Sequence, residues 1–323
     1  MSKIPVLVTG GAGYIGSHAV LALMDAGWDV AVIDDLSNGT REVVPEGVPF
    51  FEGSVADSAL VARILADEGI GAIMHFAGSI VVPESVVRPI EYYGNNTVAS
   101  HALIASAVAA GVKHVVFSST AAVYGAPERV PVEERDPTLP INPYGASKLM
   151  TERMLADASA AYPINHAALR YFNVAGADPR GRSGQSTPNA THLIKVACET
   201  ALGKRPYMEV FGTDYETPDG TCIRDYIHVT DLVRAHMAAL RYLRDGGESE
   251  VFNCGYSRGF SVLQVIDAVK RTSGADFEVR LSPRRPGDPA AIVAASDKIR
   301  VRLGWRPEHD NLETITVQAL AWE

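Results

Sequence analysis

Short apolar runs alternate with longer segments of helical periodicity through the first half of the chain. Each run contains β-branched residues and is bounded by glycine or polar positions, which is typical of a strand buried within a parallel sheet. The predicted strands are residues 4–9, 30–33, 72–76, 114–117 and 165–170, and helical segments are predicted at 14–26, 57–68, 84–110 and 144–161. This alternation predicts an α/β fold with a doubly wound parallel sheet.

The pattern changes after about residue 175. Proline, glycine and polar residues become denser, as in residues 176–181 and 215–220. We therefore expect two parts, a nucleotide-binding domain at 1–175 and a smaller α/β domain at 176–323, with a segment of about 221–255 returning to the first. The smaller part is expected to cap the carboxyl ends of the strands, where ligands bind in such sheets.

Composition and charge narrow the possible classes of function. The chain has 323 residues, of which 47% are hydrophobic and 21% charged, so a disordered or fibrous protein is excluded. A net charge of −9 argues against nucleic acid or an anionic membrane as the main partner. No apolar stretch reaches the ~18 residues of a membrane span. A strand-like run follows Met1–Lys3 directly, which predicts a cytoplasmic protein without a signal peptide.

The cysteine and histidine positions do not suggest a metal site. Cys198, Cys222 and Cys254 form no C-x-x-C pair, and the nine histidines show neither H-x-x-x-H nor H-E-x-x-H spacing. We interpret the cysteines as small buried side chains in a reducing compartment. No metal is expected.

The first predicted strand leads into a glycine-rich turn. Residues 9–16 contain G-x-x-G-x-x-G, with Gly10, Gly13 and Gly16 between a strand and a helix. Such glycines allow a pyrophosphate to approach the backbone at the helix N-terminus, as in Rossmann folds. Asp34 lies at the end of the second strand, where a carboxylate accepts hydrogen bonds from a ribose 2′-hydroxyl and repels a 2′-phosphate. The turn and the carboxylate together predict bound NAD rather than NADP.

A candidate catalytic pair follows on a predicted helix. Tyr144 and Lys148 are four residues apart and therefore share one helix face. A tyrosine has a pKa near 10, and we expect the nearby ammonium and the positive nicotinamide ring to lower it. Lys148 is also placed to hydrogen-bond the nicotinamide ribose. Thr120, expected just after the strand at 114–117, offers a hydroxyl that completes a short proton relay with Tyr144.

These motifs resemble those of the extended short-chain dehydrogenase/reductase family. The resemblance implies NAD contacts by a loop along the cofactor, by an asparagine in Y-Y-G-N-N and by residues near the adenine, where Ser54 replaces the usual Asp. Relatives also usually carry Ser at the position of Thr120. The full set of expected cofactor residues is Gly10, Gly13, Tyr14, Ile15, Gly16, Asp34, Asn38, Ser54, Val55, Phe76, Ala77, Gly78, Asn95, Tyr144, Lys148 and Phe172.

Within that family, nearly the whole chain resembles the nucleotide-sugar 4-epimerases that act on UDP-glucose and UDP-galactose. The matching motifs are residues 8–18, 141–150, 169–173, 219–229 and 285–288. The resemblance implies that Tyr144, helped by Thr120, removes the 4-hydroxyl proton of a UDP-sugar while hydride passes from C4 to NAD. It also implies a homodimer. The implied substrate residues are Thr120, Tyr144, Asn173, His192, Arg224, Arg285 and Asp288, with Arg224 and Arg285 as diphosphate clamps.

Several alternatives stay open or are disfavoured by the same residues. Arg224 could instead form an ion pair with Asp225 or Asp231. A 4,6-dehydratase is disfavoured because Ala121 and Ala122 stand where those enzymes carry Asp-Glu. Epimerases of UDP-xylose/UDP-arabinose or UDP-N-acetylhexosamines share the whole constellation. A catalytically silent NAD(P)-binding regulator would lack the Tyr or the Lys, and this chain has both.

Four further positions depart from what relatives carry. Ile80 removes a cationic cofactor contact, and His192 stands where others place Asn. Ser54 alters the adenine contact. Ile292 occupies a position linked in the family to pocket size and leaves the choice of sugar open.

Overall fold

A computed structural model of the chain describes residues 4–187, 190–285 and 288–323. The expectations that rest on Met1–Lys3, and on Pro286 and Gly287 within the 285–288 motif, lie outside these residues. The strands are β1 Val6–Thr9, β2 Val30–Asp34, β3 Phe50–Glu52, β4 Ala72–His75, β5 His114–Thr120, β6 Asn165–Tyr171, β7 Asn173–Ala175, β8 Met208–Phe211, β9 Ile223–His228, β10 Glu250–Cys254, β11 Gly259–Ser261, β12 Val279–Ser282 and β13 Ala291–Ile292.

Helices connect these strands and cover the sheet. They are α1 Tyr14–Asp25, α2 Ser58–Asp67, α3 Val82–Val87, α4 Pro89–Tyr92, α5 Ala99–Ala110, α6 Pro143–Ala161, α7 Leu193–Ala201, α8 Val229–Arg244, α9 Val262–Ser273, α10 Asp297–Leu303 and α11 Leu312–Trp322. Short 3₁₀ turns occupy Arg41–Val43 and Ala121–Tyr124, and a π-helix occupies Tyr93–Val98. No helix of the described chain combines the length and the apolar character needed to cross a bilayer.

Seven parallel strands form the central sheet, in the order β10-β6-β5-β4-β1-β2-β3. Alternate residues of each strand face opposite sides: Val6 and Val8 pack in a core with α1 and α8, and Leu7 packs in a second core with α2 and α5. The predicted doubly wound α/β sheet is confirmed. Strand order reverses between β1 and β4, which opens a crevice at the carboxyl edge.

The C-terminal part adds two small sheets above that edge. In one, β9 pairs with β7, β11 and β13; in the other, β8 pairs with β12. Residues 229–254 instead join the large sheet, since α8 packs against β5 and β6 and β10 forms its edge strand. The division into 1–175 and 176–323 remains a prediction.

The long segment 84–110 is not one helix. Arg88 adopts φ −129° and ψ 50°, an arrangement outside the helical region, and Pro89 then begins α4. The chain next forms the π-helix and continues directly into α5. This break places Asn95 and Asn96 beside helix α6, which packs against the π-helix.

Candidate active site

One cleft of about 1280 Å³ runs along the carboxyl edge of the large sheet and beneath the small sheets. Its lining contains every predicted site residue except Lys148: Gly10, Gly13, Tyr14, Ile15, Gly16, Asp34, Asn38, Ser54, Val55, Phe76, Ala77, Gly78, Asn95, Thr120, Tyr144, Phe172, Asn173, His192, Arg224, Arg285 and Asp288. We call the part lined by residues 10–16, 34–39, 53–55 and 76–78 the cofactor half. The part lined by residues 173 and beyond is the substrate half.

The glycine turn of the cofactor half depends on the absence of side chains. Gly10 has φ +70°, and a Cβ there would lie 2.7 Å from the backbone nitrogen of Ala77. A Cβ on Gly16 would collide with the carbonyl oxygen of Gly10. Gly13 begins α1 in extended conformation with no capping side chain. The start of α1 is thus open to an anionic group, and the turn fits a dinucleotide pyrophosphate.

Asp34 marks the opposite end of the cofactor half. Its Oδ2 accepts from the backbone N–H of Ala12 at 2.9 Å, and its Oδ1 accepts from that of Leu36 at 2.9 Å. Burial raises the pKa of this carboxyl, and the two backbone hydrogen bonds oppose the rise. Each oxygen keeps a further lone pair toward the cleft. The carboxylate therefore fits a ribose diol and not a 2′-phosphate.

Helix α6, which carries the candidate pair, begins directly below the cleft. Asn142 caps α6 by accepting from the backbone N–H of Gly145 at 2.8 Å, and Pro143 occupies the first turn. Tyr144 points into the cleft, whereas Lys148 lies behind it. The Lys148 ammonium donates to the carbonyl of Ser118 at 3.1 Å, and a Cβ on Gly78 would lie 3.7 Å from it. Thr120 is the last residue of β5, not the residue after a strand ending at 117.

The ionisation of the pair differs from the sequence-based expectation. Burial raises the pKa of Tyr144, although the Thr120 hydroxyl opposes the rise. Burial also lowers the pKa of Lys148 to about 8. In the chain by itself, removal from water thus outweighs any favourable effect of the ammonium on the phenol. The expected lowering of the Tyr144 pKa is therefore not seen in the chain by itself.

Sequence reasoning missed the residue that joins the cofactor loop to α6. Asn96, buried in the π-helix, accepts from Ser79 N–H at 2.7 Å and donates to Ser79 O at 3.0 Å. Its amide also donates to the Ser147 hydroxyl at 3.0 Å. Neighbouring Asn95 instead lines the cleft and donates to Ser79 Oγ at 2.8 Å. The Asn-Asn dipeptide could have drawn attention to both residues. Only the π-helix shows that Asn95 lines the cleft and that Asn96 joins the cofactor loop to α6.

Charged side chains gather in the substrate half. Arg224 lies 3.6 Å from Asp288, and its Nη1 donates to the carbonyls of Ile223 and Pro289, both at 2.9 Å. Its ionic partner is therefore Asp288. Asp225 instead accepts from the backbone N–H groups of Tyr256, Ser257 and Ala294. The Arg285 guanidinium lies over the Phe211 ring, 3.7 Å from its centroid.

His192 and three residues that were not predicted also lie in this half. Gln185 and His192 hydrogen-bond at 2.7 Å between Nε2 and Nδ1, and burial lowers the pKa of His192. Arg205 and Cys222 also line the cleft, although no motif singled them out for it. Among the described residues, no group of three or more His, Cys, Asp or Glu side chains is arranged to hold a metal ion.

Comparison with known proteins places this cleft in a family. Residues 6–255 match the model of the NAD dependent epimerase/dehydratase family. The chain belongs to this family. The chain is also similar to the following curated relative and solved structures.

The curated relative from Azospirillum brasilense, a UDP-glucose 4-epimerase, is 60% identical over 98% of this chain and 91% of its own length. The crystal structure of the Bifidobacterium longum UDP-glucose 4-epimerase in complex with NAD⁺ and UDP has a TM-score of 0.94 and 39% identity, over 98% of this chain and 97% of that one. The UDP-Glc/GlcNAc 4-epimerase of Campylobacter jejuni has a TM-score of 0.87 and 48% identity, over 99% of both chains.

Proposed function

We propose that this chain is an NAD-dependent isomerase that inverts C4 of a UDP-sugar, UDP-glucose or UDP-galactose, through a transient 4-keto sugar. The observation that carries the proposal is the placement of Tyr144 and Thr120 where the dinucleotide-type half and the arginine-lined half of one cleft meet. A relative that is 60% identical along almost the whole chain bears the name UDP-glucose 4-epimerase, which supports the same activity.

The reaction needs a group that removes and then returns one proton. Bound NAD supplies the acceptor, and afterwards the donor, of the hydride at C4. Tyr144 is the proposed base, and the Thr120 hydroxyl is placed to bridge it to the 4-hydroxyl of the sugar. Lys148 sits behind the cofactor loop, where its ammonium can favour the phenolate and bind a ribose hydroxyl.

The substrate half has the chemistry to hold UDP. Arg224 and Arg285 are the proposed diphosphate contacts, because a guanidinium pairs with phosphate oxygens through two parallel hydrogen bonds. Asp288 lies 3.6 Å from Arg224, so when the diphosphate binds, Asp288 would either move away or share the Arg224 guanidinium with the phosphate. Asn173 and His192 are proposed as further polar contacts to the sugar nucleotide, since both line the cleft.

The proposal leaves more than one candidate for the preferred sugar. Ile292 lines the cleft, and it occupies the position that the family resemblance links to pocket size. A solved relative at 48% identity is named for both UDP-Glc and UDP-GlcNAc. UDP-N-acetylhexosamines and the pentose pair UDP-xylose/UDP-arabinose are therefore the second candidate substrates.

Exposed apolar side chains support a homodimer. Ile90, Val98 and Met150 are 81%, 61% and 44% exposed, and they lie on α4, the π-helix and α6, which pack against one another. Exposed apolar side chains on elements that pack together offer a face that a second copy of the chain can cover. We propose that this face joins two copies of the chain, and that the enzyme works in the cytoplasm.

Side-by-side rates on UDP-galactose, UDP-N-acetylgalactosamine and UDP-arabinose test the function and its substrate. We expect turnover of UDP-galactose without added cofactor, and stoichiometric NAD released when the purified protein is denatured. A preparation that binds no NAD, or that converts none of the three sugars, would contradict the proposal.

A further inference from the structure

We propose that the buried Glu152–Arg170 ion pair positions Tyr144 against Thr120, an inference that rests on the proposed function. Both side chains are almost fully buried, at 5% and 7% exposure. Arg170 donates from Nη2 to Glu152 Oε2 at 2.6 Å and from Nε to Oε1 at 3.0 Å, so the pairing is bidentate. Neither side chain lines the cleft. They are positioning residues and not catalytic ones.

The pair connects the two elements that carry the reacting hydroxyls. On α6, Glu152 follows Lys148 by four residues and Tyr144 by eight, so the three share one face of the helix. On β5, the Ser119 hydroxyl donates to Glu152 Oε1, and Ser119 directly precedes Thr120. The same carboxylate therefore holds the helix of Tyr144 and the strand end of Thr120.

Across the sheet, Arg170 extends this link to a third strand. Arg170 stands opposite Ser119 on β5 and opposite Asn253 on β10. Its Nη1 donates to the Tyr124 hydroxyl at 3.0 Å, and that hydroxyl donates to Asn253 Oδ1 at 2.6 Å. Tyr124 ends the 3₁₀ turn that follows Thr120, so the residue before Thr120 is tied to Glu152 and the turn after it to Arg170.

Stability alone does not account for such a pair. Taking two charges out of water costs more than burying apolar groups of the same volume, and replacing a buried pair by such groups is often neutral or stabilising. What the pair adds is direction, because a bidentate contact fixes both angle and distance. Displacement of a reacting group by 1 Å is enough to slow a reaction about 100-fold.

The first test removes the charge but keeps the shape. We expect Glu152→Gln to lower kcat about 100-fold while KM for the UDP-sugar stays near the wild-type value. The acid limb of the kcat–pH profile should shift to higher pH, because Tyr144 loses its hydrogen bond with the Thr120 hydroxyl, which favours the phenolate. A variant that is only less heat-stable, with wild-type kcat and pH profile, would overturn the proposal.

A second variant separates position from stability if the first one folds poorly. Glu152→Leu combined with Arg170→Met replaces the pair by apolar groups, and we expect its thermal midpoint to be near that of the wild type. If its kcat remains about 100-fold low, the pair acts through position; if kcat recovers with stability, the pair is only structural.

The matched control is Glu250→Gln. Glu250 pairs with Lys298 and Arg302 at the opposite end of β10, and its side chain is 16% exposed. Loss of this charge should leave kcat and the pH profile unchanged. A wild-type enzyme without any epimerase activity would refute the proposed function, whereas an active wild type with an equally active Glu152→Gln variant would refute only this inference.

Discussion

The two halves of the cleft hold their ligands by different physical means. The cofactor half is formed by backbone turns after β1, β2, β3 and β4, each contiguous in sequence, with Asp34 as its buried carboxylate. The substrate half is formed by side chains brought together from distant segments. Within the described ranges 4–187, 190–285 and 288–323, the lysines and arginines that line the cleft are Arg205, Arg224 and Arg285, and all three are in the substrate half.

This difference determines how each half should respond to change. Backbone N–H groups and a helix N-terminus bind a pyrophosphate through fixed geometry, so a misplaced methyl group is enough to destroy the site. Guanidinium groups bind through charge, which dissolved salt screens. The cofactor half should therefore be sensitive to volume and insensitive to ionic strength, and the substrate half the reverse.

The largest expected effect breaks the cofactor half. In Gly16→Ala, the new Cβ would collide with the carbonyl of Gly10, and the glycine turn would have to open. We expect loss of NAD from the purified protein, and with it loss of turnover. The measurement is the NAD released on denaturation, per mole of chain, for folded protein checked by circular dichroism.

Two other glycines give a graded control. A Cβ on Gly13 would lie 3.3 Å from Gly10 O, and a Cβ on Gly94 would meet nothing within 4 Å. Gly13→Ala should retain part of the NAD and Gly94→Ala all of it. Equal NAD content in all three variants would mean that the turn does not hold the pyrophosphate.

The next effect concerns the residue at which the halves meet. Tyr144→Phe removes the proposed base, and loss of general acid–base catalysis costs about 10²- to 10⁴-fold in rate. Because the phenyl ring keeps the packing, NAD content should not change. Steady-state kcat on UDP-galactose is the measurement, with Tyr162→Phe, an exposed tyrosine at the end of α6, as the control. Wild-type kcat in Tyr144→Phe would exclude the tyrosine as the base.

Breaking the substrate half should affect binding more than chemistry. A hydrogen bond to a charged group contributes about 1.5–3 kcal/mol, so Arg224→Met or Arg285→Met should raise KM for the UDP-sugar about 10- to 150-fold. In the wild type, KM should also rise as salt increases from 0.05 to 0.5 M, because the Debye length then shortens from roughly 14 to 4 Å. The amount of bound NAD should stay constant over the same range. Salt that released NAD and left KM unchanged would reverse the comparison.

The same contrast explains what the sequence could reveal. The glycine turn, Asp34 and the Tyr144–Lys148 spacing are local, since each depends on residues within one turn, strand end or helix. The Arg224–Asp288 contact joins residues 64 positions apart, across β9 and the segment before β13, and no local pattern encodes it. Even so, family resemblance had suggested both residues as ligands.

Short strands are the other feature of the fold that the sequence does not predict. Strands of two or three residues, such as β13 and β11, are too short for periodicity to reveal, and these two form only because β9 offers an edge on each side. The Tyr144 pKa was also beyond reach, because its direction depends on how deeply the phenol is buried and spacing says nothing about that.

The smallest expected effect is on the stability of the fold at low pH, and it comes from His75 beneath the cofactor half. His75 hydrogen-bonds Thr9 Oγ1 at 2.7 Å and Ser100 Oγ at 2.9 Å, and burial first, then Lys148, lowers its pKa to about 3. His75 is therefore neutral in the folded protein, whereas in the unfolded chain it takes up a proton near pH 6.5. Stability is complete above that pH and falls, by up to about 1.4 kcal/mol per pH unit for this residue, as pH decreases from about 6.5 toward 3.

Urea unfolding at pH 7.5 and 5.5, with NAD held at one concentration, measures this loss. His75→Gln should lose less free energy of unfolding between the two pH values than the wild type, by about 1 kcal/mol. His101→Gln should match the wild type, because His101 is exposed on α5. Burial also lowers the pKa of five other histidines, which add the same slope in every variant, so the comparison depends on the difference alone; they are His18, His166, His192, His228 and His236. An identical loss in wild type and His75→Gln would show that His75 gains its proton without unfolding, and that the cofactor half is more open to water than its burial indicates.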